Sequence, residues 1–499
     1  MKTIIIVLLL AIANSAIAQG TVADYKRADS LRYKYSWKMA NGDVKVHRMP
    51  NSHKFWYSVW DGRKMVYKEV DTDSNKVSLL PENPEKPRAH RRPDRRHHYW
   101  SEVPDEKTGW QVSPTDSQLV VFHRDNNLWT RRGQDVRPLT TDGDSTYYYS
   151  AWGSFSPDGR YYATVRIKPA PKHYVYYVES VPNTAIRKGK FDAVEPILHK
   201  QEYAKPGDSL NYRVPVVIEM ATGHVVEPST ELFRQQYDVS APHWDSNSRT
   251  LTFTFNERGH KTYRLLELDA VTGQVRTLIE EKNAKYVNYN RLYRHDFKDG
   301  RRILWTSERD GRNHIYLYDR QKAQLIRQVT KGEFYVREIQ HVDEEAGVVY
   351  FSANGMNKAE DPYLIHYYRI GVNGKNLVCL TPEEGYHEAV FTDDMKYVID
   401  TYSTIQTPPV SVLRRVKDGK LLRTLEQADI TRLKAEGWQA PEVFVAAGRD
   451  SITPMWGIIM RPSNFDPTKK YPVIEYIYSG PGNQYVPKTF TPWIWGMAE

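Results

Sequence analysis

The chain has 499 residues, of which 40% are hydrophobic and 12% aromatic, so it can hold two or three domains with a sizeable core. Its formal net charge is +9, but its 70 basic residues are interspersed with 61 acidic ones, which argues against a nucleic-acid partner. The only cysteine, Cys379, excludes an internal disulfide, and its apolar surroundings favour a small core residue over a nucleophile. Abundant tyrosine (35) and tryptophan (13) suit β-structure.

The N-terminus has the pattern of a secretory signal peptide. Lys2 supplies the basic start, residues 4–13 form the apolar core, and Ala16-Ile17-Ala18 is a small-x-small cleavage site. This apolar run is too short to span a bilayer, and no later stretch is longer and as apolar. We therefore expect a signal peptide at 1–18, cleaved after Ala18, and a periplasmic or secreted protein with no membrane span.

Behind this segment, the chain changes from a helical to a strand texture. Residues 19–35 have mixed charge and few helix breakers, which predicts an N-terminal helical segment. From residue 36 onward, pairs of strands separated by polar or glycine turns recur. In the clearest copy, Leu251, Phe253 and Phe255 alternate with threonines, which is the period of a half-buried strand.

The strand pairs recur at a nearly constant spacing. If Phe253, Trp305, Phe351 and Ile399 are equivalent, the steps between copies are 52, 46 and 48 residues. A period near this length with about four strands per unit is typical of a β-propeller. We predict a mainly β fold, with a propeller at 36–435. It has seven clear units, and a segment from Trp37 to Met49 is a candidate eighth blade.

Two stretches interrupt the repeats. The segment 169–212 contains five prolines and breaks the period, so we predict an insertion within a blade that lies over one rim. The basic run from Arg88 to His98 could bind nucleic acid or an anionic surface, but a solvated loop is the simpler interpretation.

The pattern changes again towards the end of the chain. Residues 426–437 predict a short helix, and 442–446 with 455–461 predict a pair of strands. Val473 to Tyr478 form a nearly continuous apolar run that opens after Pro472 and stops at Ser-Gly-Pro-Gly. This pattern predicts a buried strand that ends in a tight turn.

Residues 471–484 (YPVIEYIYSGPGNQ) resemble the first core strand of the hydrolase domain in the prolyl oligopeptidase (S9) family of serine peptidases, dipeptidyl-peptidase IV branch. Similar propeller motifs are Lys205-Pro-Gly-Asp208, Ser307 to Asp319, and Glu360-Asp-Pro-Tyr363. The resemblance covers essentially all of residues 100–499. It implies that 436–499 is the incomplete start of an α/β-hydrolase domain and that Tyr478 donates its hydroxyl to the oxyanion.

The sequence departs from the family at two functional places. It contains no Gly-x-Ser-x-Gly elbow, and the family places its serine, aspartate and histidine downstream of the Tyr-x-Gly-Pro strand, so we expect no peptidase activity from this chain alone. The family's paired glutamate for the substrate amine should fall within 144–155, which has no such pair; Asp144 is the substitute carboxylate that we predict for substrate binding. Other Glu pairs are expected in solvated turns: 280–281, 344–345 and 383–384.

The resemblance implies the substrate-gating propeller of an exported serine exopeptidase that cleaves short peptides, after proline or a small residue. We expect peptide substrates, no cofactor and no metal, because His387-Glu388 lacks a second histidine at zinc-site spacing. A homodimer is left open. The alternative is a propeller that binds peptides or proteins without cutting them.

Overall fold

The computed structural model shows a mainly β protein, as predicted, with 47% strand and 5% helix. The predicted signal peptide, the basic run and Ser479 to Gly482 lie outside the residues that the structure describes. These are 21–49, 52–84, 111–180, 196–462, 465–478 and 484–492.

Seven antiparallel sheets of four or five strands follow one another along the described chain, and most of their strands pair with the next strand in sequence. The first comprises β1 (Lys45–Arg48), β2 (Lys54–Trp60), β3 (Met65–Asp71) and β4 (Lys76–Leu80). The second comprises β5 (Gln111–Val112), β6 (Leu119–Arg124), β7 (Asn127–Arg132) and β8 (Asp135–Pro138). The third comprises β9 (Tyr148–Phe155), β10 (Tyr161–Lys168), β13 (Tyr212–Glu219) and β14 (Val225–Val226); its insertion holds the hairpin β11 (Tyr174–Glu179) and β12 (Ile197–Glu202).

The other four sheets repeat this plan. The fourth comprises β15 (Gln236–Val239), β16 (His243–Trp244), β17 (Thr250–Glu257), β18 (Thr262–Asp269) and β19 (Val275–Lys282). The fifth comprises β20 (Arg294–Asp296), β21 (Arg302–Ser307), β22 (His314–Asp319) and β23 (Gln324–Gln328). The sixth comprises β24 (Tyr335–Asp343), β25 (Val348–Asn354), β26 (Ile365–Gly371) and β27 (Val378–Cys379). The seventh comprises β28 (Tyr386–Phe391), β29 (Tyr397–Ser403), β30 (Val410–Arg415) and β31 (Leu421–Gln427).

No eighth sheet of four strands is present within the described residues. Residues 37–49 instead contribute β1, the first strand of the first sheet. Short 3₁₀ turns occur at Glu231–Phe233 and Tyr289–Arg291. The turn between β9 and β10 needs glycine, because Gly159 has a φ of +72° and an added Cβ would lie 2.4 Å from Thr115 Oγ1.

Helices flank the strand repeats at both ends. α1 spans Val22–Tyr35, where the sequence predicts a helical segment. α2 is only Thr431–Ala435, so the helix predicted over 426–437 starts too early: β31 continues through Gln427, and Glu426 pairs there with Ser411 of β30. The hairpin of β32 (Glu442–Ala447) and β33 (Pro454–Ile459) follows.

The chain divides into two compact units, one formed by 1–91, 312–317 and 327–499, and the other by 92–311 and 318–326. In the first unit, the first sheet packs on the seventh through fully buried side chains. These are Phe55, Tyr57, Val59, Val70, Ile399 and Leu413. The contact joins the first repeat to the last, as a propeller requires, since each blade must bury both of its faces.

In the second unit, two clusters join neighbouring sheets. Val121 and Leu128 of the second sheet pack with Tyr162 of the third. Ala163 and Val217 of the third pack with side chains of the fourth that include Phe253. Leu251, Phe253 and Phe255 are all at most 2% exposed, as predicted, but Thr252 (1%) and Asn256 (5%) are buried too, so β17 is buried on both faces rather than on one.

Candidate functional site

Tyr478 lies in a segment that the structure leaves without a sheet. Residues 471–478 form no strand, and Val473 and Tyr478 are 92% and 76% exposed. The predicted buried strand is therefore wrong as a description of this chain. The physical reason is that a strand becomes buried only when neighbouring strands bond to it, and no described strand pairs with this one.

The Tyr478 ring contacts another tyrosine ring seven positions later in the sequence. Its ring centroid is 5.6 Å from that of Tyr485, which in turn lies 5.2 Å from Tyr476. The hydrogen bond with Tyr476 raises the pKa of Tyr485. Oxyanion stabilisation by Tyr478 stays a prediction.

Residues 484–492, the next described segment after Tyr478, are anchored within the first unit. Lys488 is 7% exposed, and its Nζ lies 2.6 Å from Asp361 Oδ2 in the loop between β25 and β26. The ammonium also lies over the rings of Tyr363 (5.1 Å) and Trp456 (5.4 Å), which attract a cation through their π-electrons. A paired, ring-covered lysine of this kind holds residue 488 against the sixth sheet.

A second contact fixes the same segment two residues later. The backbone N–H of Phe490 donates to Ser403 Oγ at 3.1 Å, and its ring packs with Tyr35 of α1 and Leu433 of α2. Trp438 Nε1 donates to the Pro492 carbonyl at 3.2 Å. The N-terminal helix and the chain beyond the propeller therefore share one small core.

Asp144 is exposed, and its carboxylate organises a turn. Asp144 Oδ1 accepts hydrogen bonds from the backbone N–H and the hydroxyl of Thr146, both at 2.7 Å, and from the N–H of Tyr147 at 3.0 Å. These bonds, led by the Thr146 hydroxyl, lower the pKa of Asp144. The carboxylate is thus ionised and shapes the loop that carries Tyr147.

Next to this loop lies a charged cluster that the sequence did not suggest, which we call the Arg166 cluster: Asp142, Tyr147, Tyr149, Arg166 and Glu227. Arg166, on β10, is 8% exposed, and its Nη1 lies 3.0 Å from Asp142 Oδ2 and 3.3 Å from Glu227 Oε2. Its guanidinium carbon stands 3.9 Å from the Tyr147 ring centre and 4.7 Å from that of Tyr149. Two carboxylates therefore converge on one buried cation.

Both tyrosines of the Arg166 cluster complete its hydrogen bonds. Tyr147 Oη donates to Glu227 Oε1, and Tyr149 Oη donates to Asp142 Oδ1, each at 2.8 Å. Burial, followed by these bonds, raises the pKa of both phenols, so they keep their protons at neutral pH. The carboxylates stay 56% (Asp142) and 39% (Glu227) exposed, so an incoming cation can reach them only in competition with Arg166.

The other paired glutamates are not alike. The pair 344–345 lies in a turn, as expected, and 383–384 in a bend before β28. Glu281 instead lies on β19, is 5% exposed, and accepts hydrogen bonds from Trp305 Nε1 (2.9 Å), Ser307 Oγ (2.6 Å) and Arg309. The expectation of a solvated turn at 280–281 is wrong, because the strand end turns one glutamate inward.

Cys379 is half-buried on β27, and burial raises the pKa of its thiol, which makes it less reactive. No described helix is both long and apolar enough to cross a membrane. Within the same residues, no three His, Cys, Asp or Glu side chains are grouped to hold a metal ion.

The repeated antiparallel sheets and the joined first and last repeats define the class: a β-propeller protein that continues into a further segment. The family model described as "Dipeptidyl peptidase IV (DPP IV) N-terminal region" matches residues 82–409. Because this match covers most of the chain, the protein belongs to that family.

Curated relatives carry the same repeats within longer chains. The chain is 25% identical over 433 residues to "Probable dipeptidyl-aminopeptidase B" of Aspergillus terreus, covering 78% of this chain and 46% of the relative. It is also 25% identical over 433 residues to "Dipeptidyl-aminopeptidase B" of Aspergillus niger, covering 76% and 45%. The chain thus spans just under half the length of these relatives.

A solved structure shares the fold. The crystal structure of Porphyromonas gingivalis dipeptidyl peptidase 4 matches with a TM-score of 0.57 and 21% identity, covering 90% of this chain and 62% of the other. At this identity the likeness concerns the fold alone.

Proposed function

We propose that this chain is the propeller portion of an exported serine exopeptidase that cleaves short peptides, after proline or a small residue. The observation that carries the proposal is the family match over residues 82–409, together with relatives named dipeptidyl-aminopeptidase. The hairpin β32–β33 and the anchored segment 484–492 support it, since they continue the chain beyond the propeller towards a second domain.

Two groups have proposed roles towards the peptide. Tyr478 would donate its hydroxyl to the developing oxyanion, a contribution worth about 3–4 kcal/mol in comparable sites. Asp144 would attract the substrate's amine, either directly or through the turn that positions Tyr147 beside Glu227. The carboxylates of the Arg166 cluster, which the Tyr147–Glu227 hydrogen bond links to this turn, would supply further negative charge.

The proposed setting follows from the N-terminal pattern. Export to the periplasm or beyond, with cleavage after Ala18, would bring the protein to free peptides. A homodimer is compatible with this function and is part of the same hypothesis. Mass spectrometry of the mature N-terminus tests the cleavage position, and sedimentation tests the assembly.

A binding propeller without peptidase activity is the second candidate. The observation that favours it is the lack of a Glu pair at 144–155. In that case the chain would hold peptides or proteins, and Tyr478 would have no catalytic role.

Peptidase assays separate the two candidates. With Ala-Pro-p-nitroanilide, we expect no turnover from this chain; hydrolysis that stops with a serine-directed inhibitor would overturn the missing-nucleophile interpretation. The nucleotide sequence after the Glu499 codon provides a second test of the two candidate functions. An open frame that encodes Gly-x-Ser-x-Gly supports the peptidase, whereas a stop codon supports the binding propeller.

In a longer protein of that kind, Tyr478→Phe should lower kcat about 10²- to 10³-fold with little change in KM, because only the transition state loses its donor. Tyr476→Phe, two residues earlier, is the matched control. An unchanged kcat for Tyr478→Phe would remove the oxyanion role.

A further inference from the structure

A cavity of about 220 Å³ opens in the second unit at the base of the β11–β12 hairpin. Its lining includes Pro171, His173, Asn211, Arg213, Tyr237 and Asp238. The volume suits one or two side chains rather than a large cofactor. None of these residues belongs to the Arg166 cluster.

The polar wall of the cavity is fixed by its own hydrogen bonds. Arg213 Nη1 lies 2.5 Å from Asp238 Oδ1, and the Arg213 backbone N–H donates to Gln236 Oε1 at 2.9 Å. Asn211 Oδ1 accepts from the Ala170 N–H at 2.8 Å. Asp238 stays 50% exposed and Arg213 32% exposed, so both signs of charge face a ligand.

Tyr237 links this cavity to a group of four rings. Its centroid lies 4.4 Å from that of His260 and 6.2 Å from that of Tyr289. His260 stacks on Tyr289 at 5.0 Å and meets the edge of Tyr286 at 5.7 Å. Tyr237 and Tyr286 are 43% and 41% exposed, so ring surface remains open to solvent beside the cavity.

His260 is held in an unusual backbone conformation. Its φ is +56°, in the left-handed region that non-glycine residues seldom adopt. The Val287 N–H donates to its carbonyl at 2.7 Å, and the imidazole Nδ1 lies 3.0 Å from Asn256 Oδ1. Burial lowers the pKa of His260, so the ring is neutral at pH 7 and presents an apolar face. The surrounding contacts thus preset the ring group before any ligand arrives.

We propose that the cavity and the ring group form a peptide-binding subsite that takes a planar aromatic side chain against Tyr237 and His260. The neighbouring polar group of the peptide enters the cavity beside Arg213 and Asp238. Tyrosine and histidine rings give large, rigid contact surfaces at small entropic cost, and the paired charges suit the dipoles of a peptide backbone. The assignment of peptides as ligands rests on the proposed function.

The test measures binding, so it needs no hydrolysis. Isothermal titration of this chain with acetyl-Ala-Trp-Ala-Ala-amide and with acetyl-Ala-Leu-Ala-Ala-amide compares a flat ring with a branched aliphatic side chain. We expect the Trp peptide to bind about tenfold more tightly, which corresponds to ring–ring contacts of ordinary strength. Tyr237→Ala should abolish the preference, and Tyr237→Phe should keep it.

A control variant removes an exposed tyrosine far from the ring group in the sequence. Tyr33→Ala removes a 77% exposed tyrosine of α1 and should leave the preference intact. If Tyr237→Ala does not fold, Tyr286→Ala replaces it. Equal affinity for the two peptides, a preference that survives in the folded alanine variant, or binding of maltohexaose in place of either peptide would overturn the subsite. If a longer protein showed no peptidase activity, the preference for the Trp peptide over the Leu peptide could still be measured. The proposed function and the proposed subsite can therefore be refuted separately.

Discussion

Tyr57 on β2 donates a hydrogen bond of 2.7 Å from its hydroxyl to Glu426 Oε1 on β31, across 369 positions of sequence. Lys68 Nζ lies 2.5 Å from the same oxygen. Tyr57 is fully buried and Glu426 is 7% exposed, so the first and last sheets of the propeller share one polar contact inside their apolar interface. The pair secures the contact between sheets that lie far apart in the sequence.

Removing this carboxylate should weaken the protein strongly. Glu426→Ala leaves the buried Tyr57 hydroxyl and the Lys68 ammonium without their acceptor, so we expect a loss of about 2–4 kcal/mol in the free energy of unfolding. Urea titration followed by tryptophan fluorescence measures it. Glu231→Ala, which removes an exposed ion pair with Arg234, is the control and should change little. Equal stability of the two variants would contradict the role given to Glu426.

Two Asp–Arg pairs of the seventh sheet should differ sharply in their effect on stability. Asp400 and Arg414 are 0% and 1% exposed and lie 2.9 Å apart, whereas Asp418 and Arg415 are both more than 40% exposed. Asp400→Asn removes the charge that also faces His387 Nδ1 at 2.7 Å, so we expect a loss of about 3–5 kcal/mol.

Asp418→Asn should change stability little. The hydrogen bond from Arg415 lowers the pKa of Asp418 to about 2, but both groups are open to water, which screens the pair. Thermal unfolding of both variants at one pH makes the comparison. A loss from Asp418→Asn that matches the loss from Asp400→Asn would refute the weight given to burial.

The adjacent residues Glu280 and Glu281 lie on one strand, but only Glu281 is buried, so their substitution should affect stability differently. Glu281 accepts from Trp305, Ser307 and Arg309 in a buried setting, while Glu280 pairs with Arg264 at the surface. Glu281→Ala should cost about 3–5 kcal/mol, because three donors lose their acceptor. Glu280→Ala should cost far less, as measured by chemical unfolding. The reverse order would show that Glu281 is not a structural group.

His123 predicts a pH dependence of stability. It is 8% exposed on β6, and burial lowers the pKa of its imidazole against the opposing charge of Asp125. A histidine with a folded-state pKa below its unfolded value of about 6.5 stabilises the fold above that pH. This contribution declines as the pH falls below about 6.5 towards the folded-state pKa.

The measurement is the urea midpoint at pH 7.5, 6.5 and 5.5. The unfolding free energy of the parent protein should fall more steeply with acid than that of His123→Gln, by less than about 1.4 kcal/mol per pH unit. The exposed His224→Gln is the control and should keep the parent slope. Parallel curves for His123→Gln and the parent would contradict the assignment.

The strands of the propeller could be predicted because their burial is local in sequence. Leu251, Phe253 and Phe255 point to one face by the pleat alone, and that face is buried. The apolar run at Val473 shows the limit of the same rule. An apolar run predicts that a segment is buried, but burial also requires neighbouring strands. No described strand pairs with this segment.

The candidate site was harder to predict because its residues are far apart in the sequence, although they are in contact in the structure. Arg166 meets Asp142 and Glu227, which are 24 and 61 positions away, so no short motif announces them. Adjacent glutamates were misleading for the opposite reason, since Glu280 and Glu281 share a sequence motif but not an environment. The family resemblance predicts a carboxylate near Asp144, and the hydrogen bonds from Thr146 and Tyr147 show that this carboxylate caps a turn.

The buried Lys488 bounds the position of Tyr478 relative to the sixth sheet. The two residues are ten positions apart, and ten positions of fully extended chain reach at most about 36 Å. Whatever Tyr478 binds must therefore lie within that distance of the loop between β25 and β26. The ion pair of Lys488 with Asp361 thus limits the part of the first unit that Tyr478 can serve.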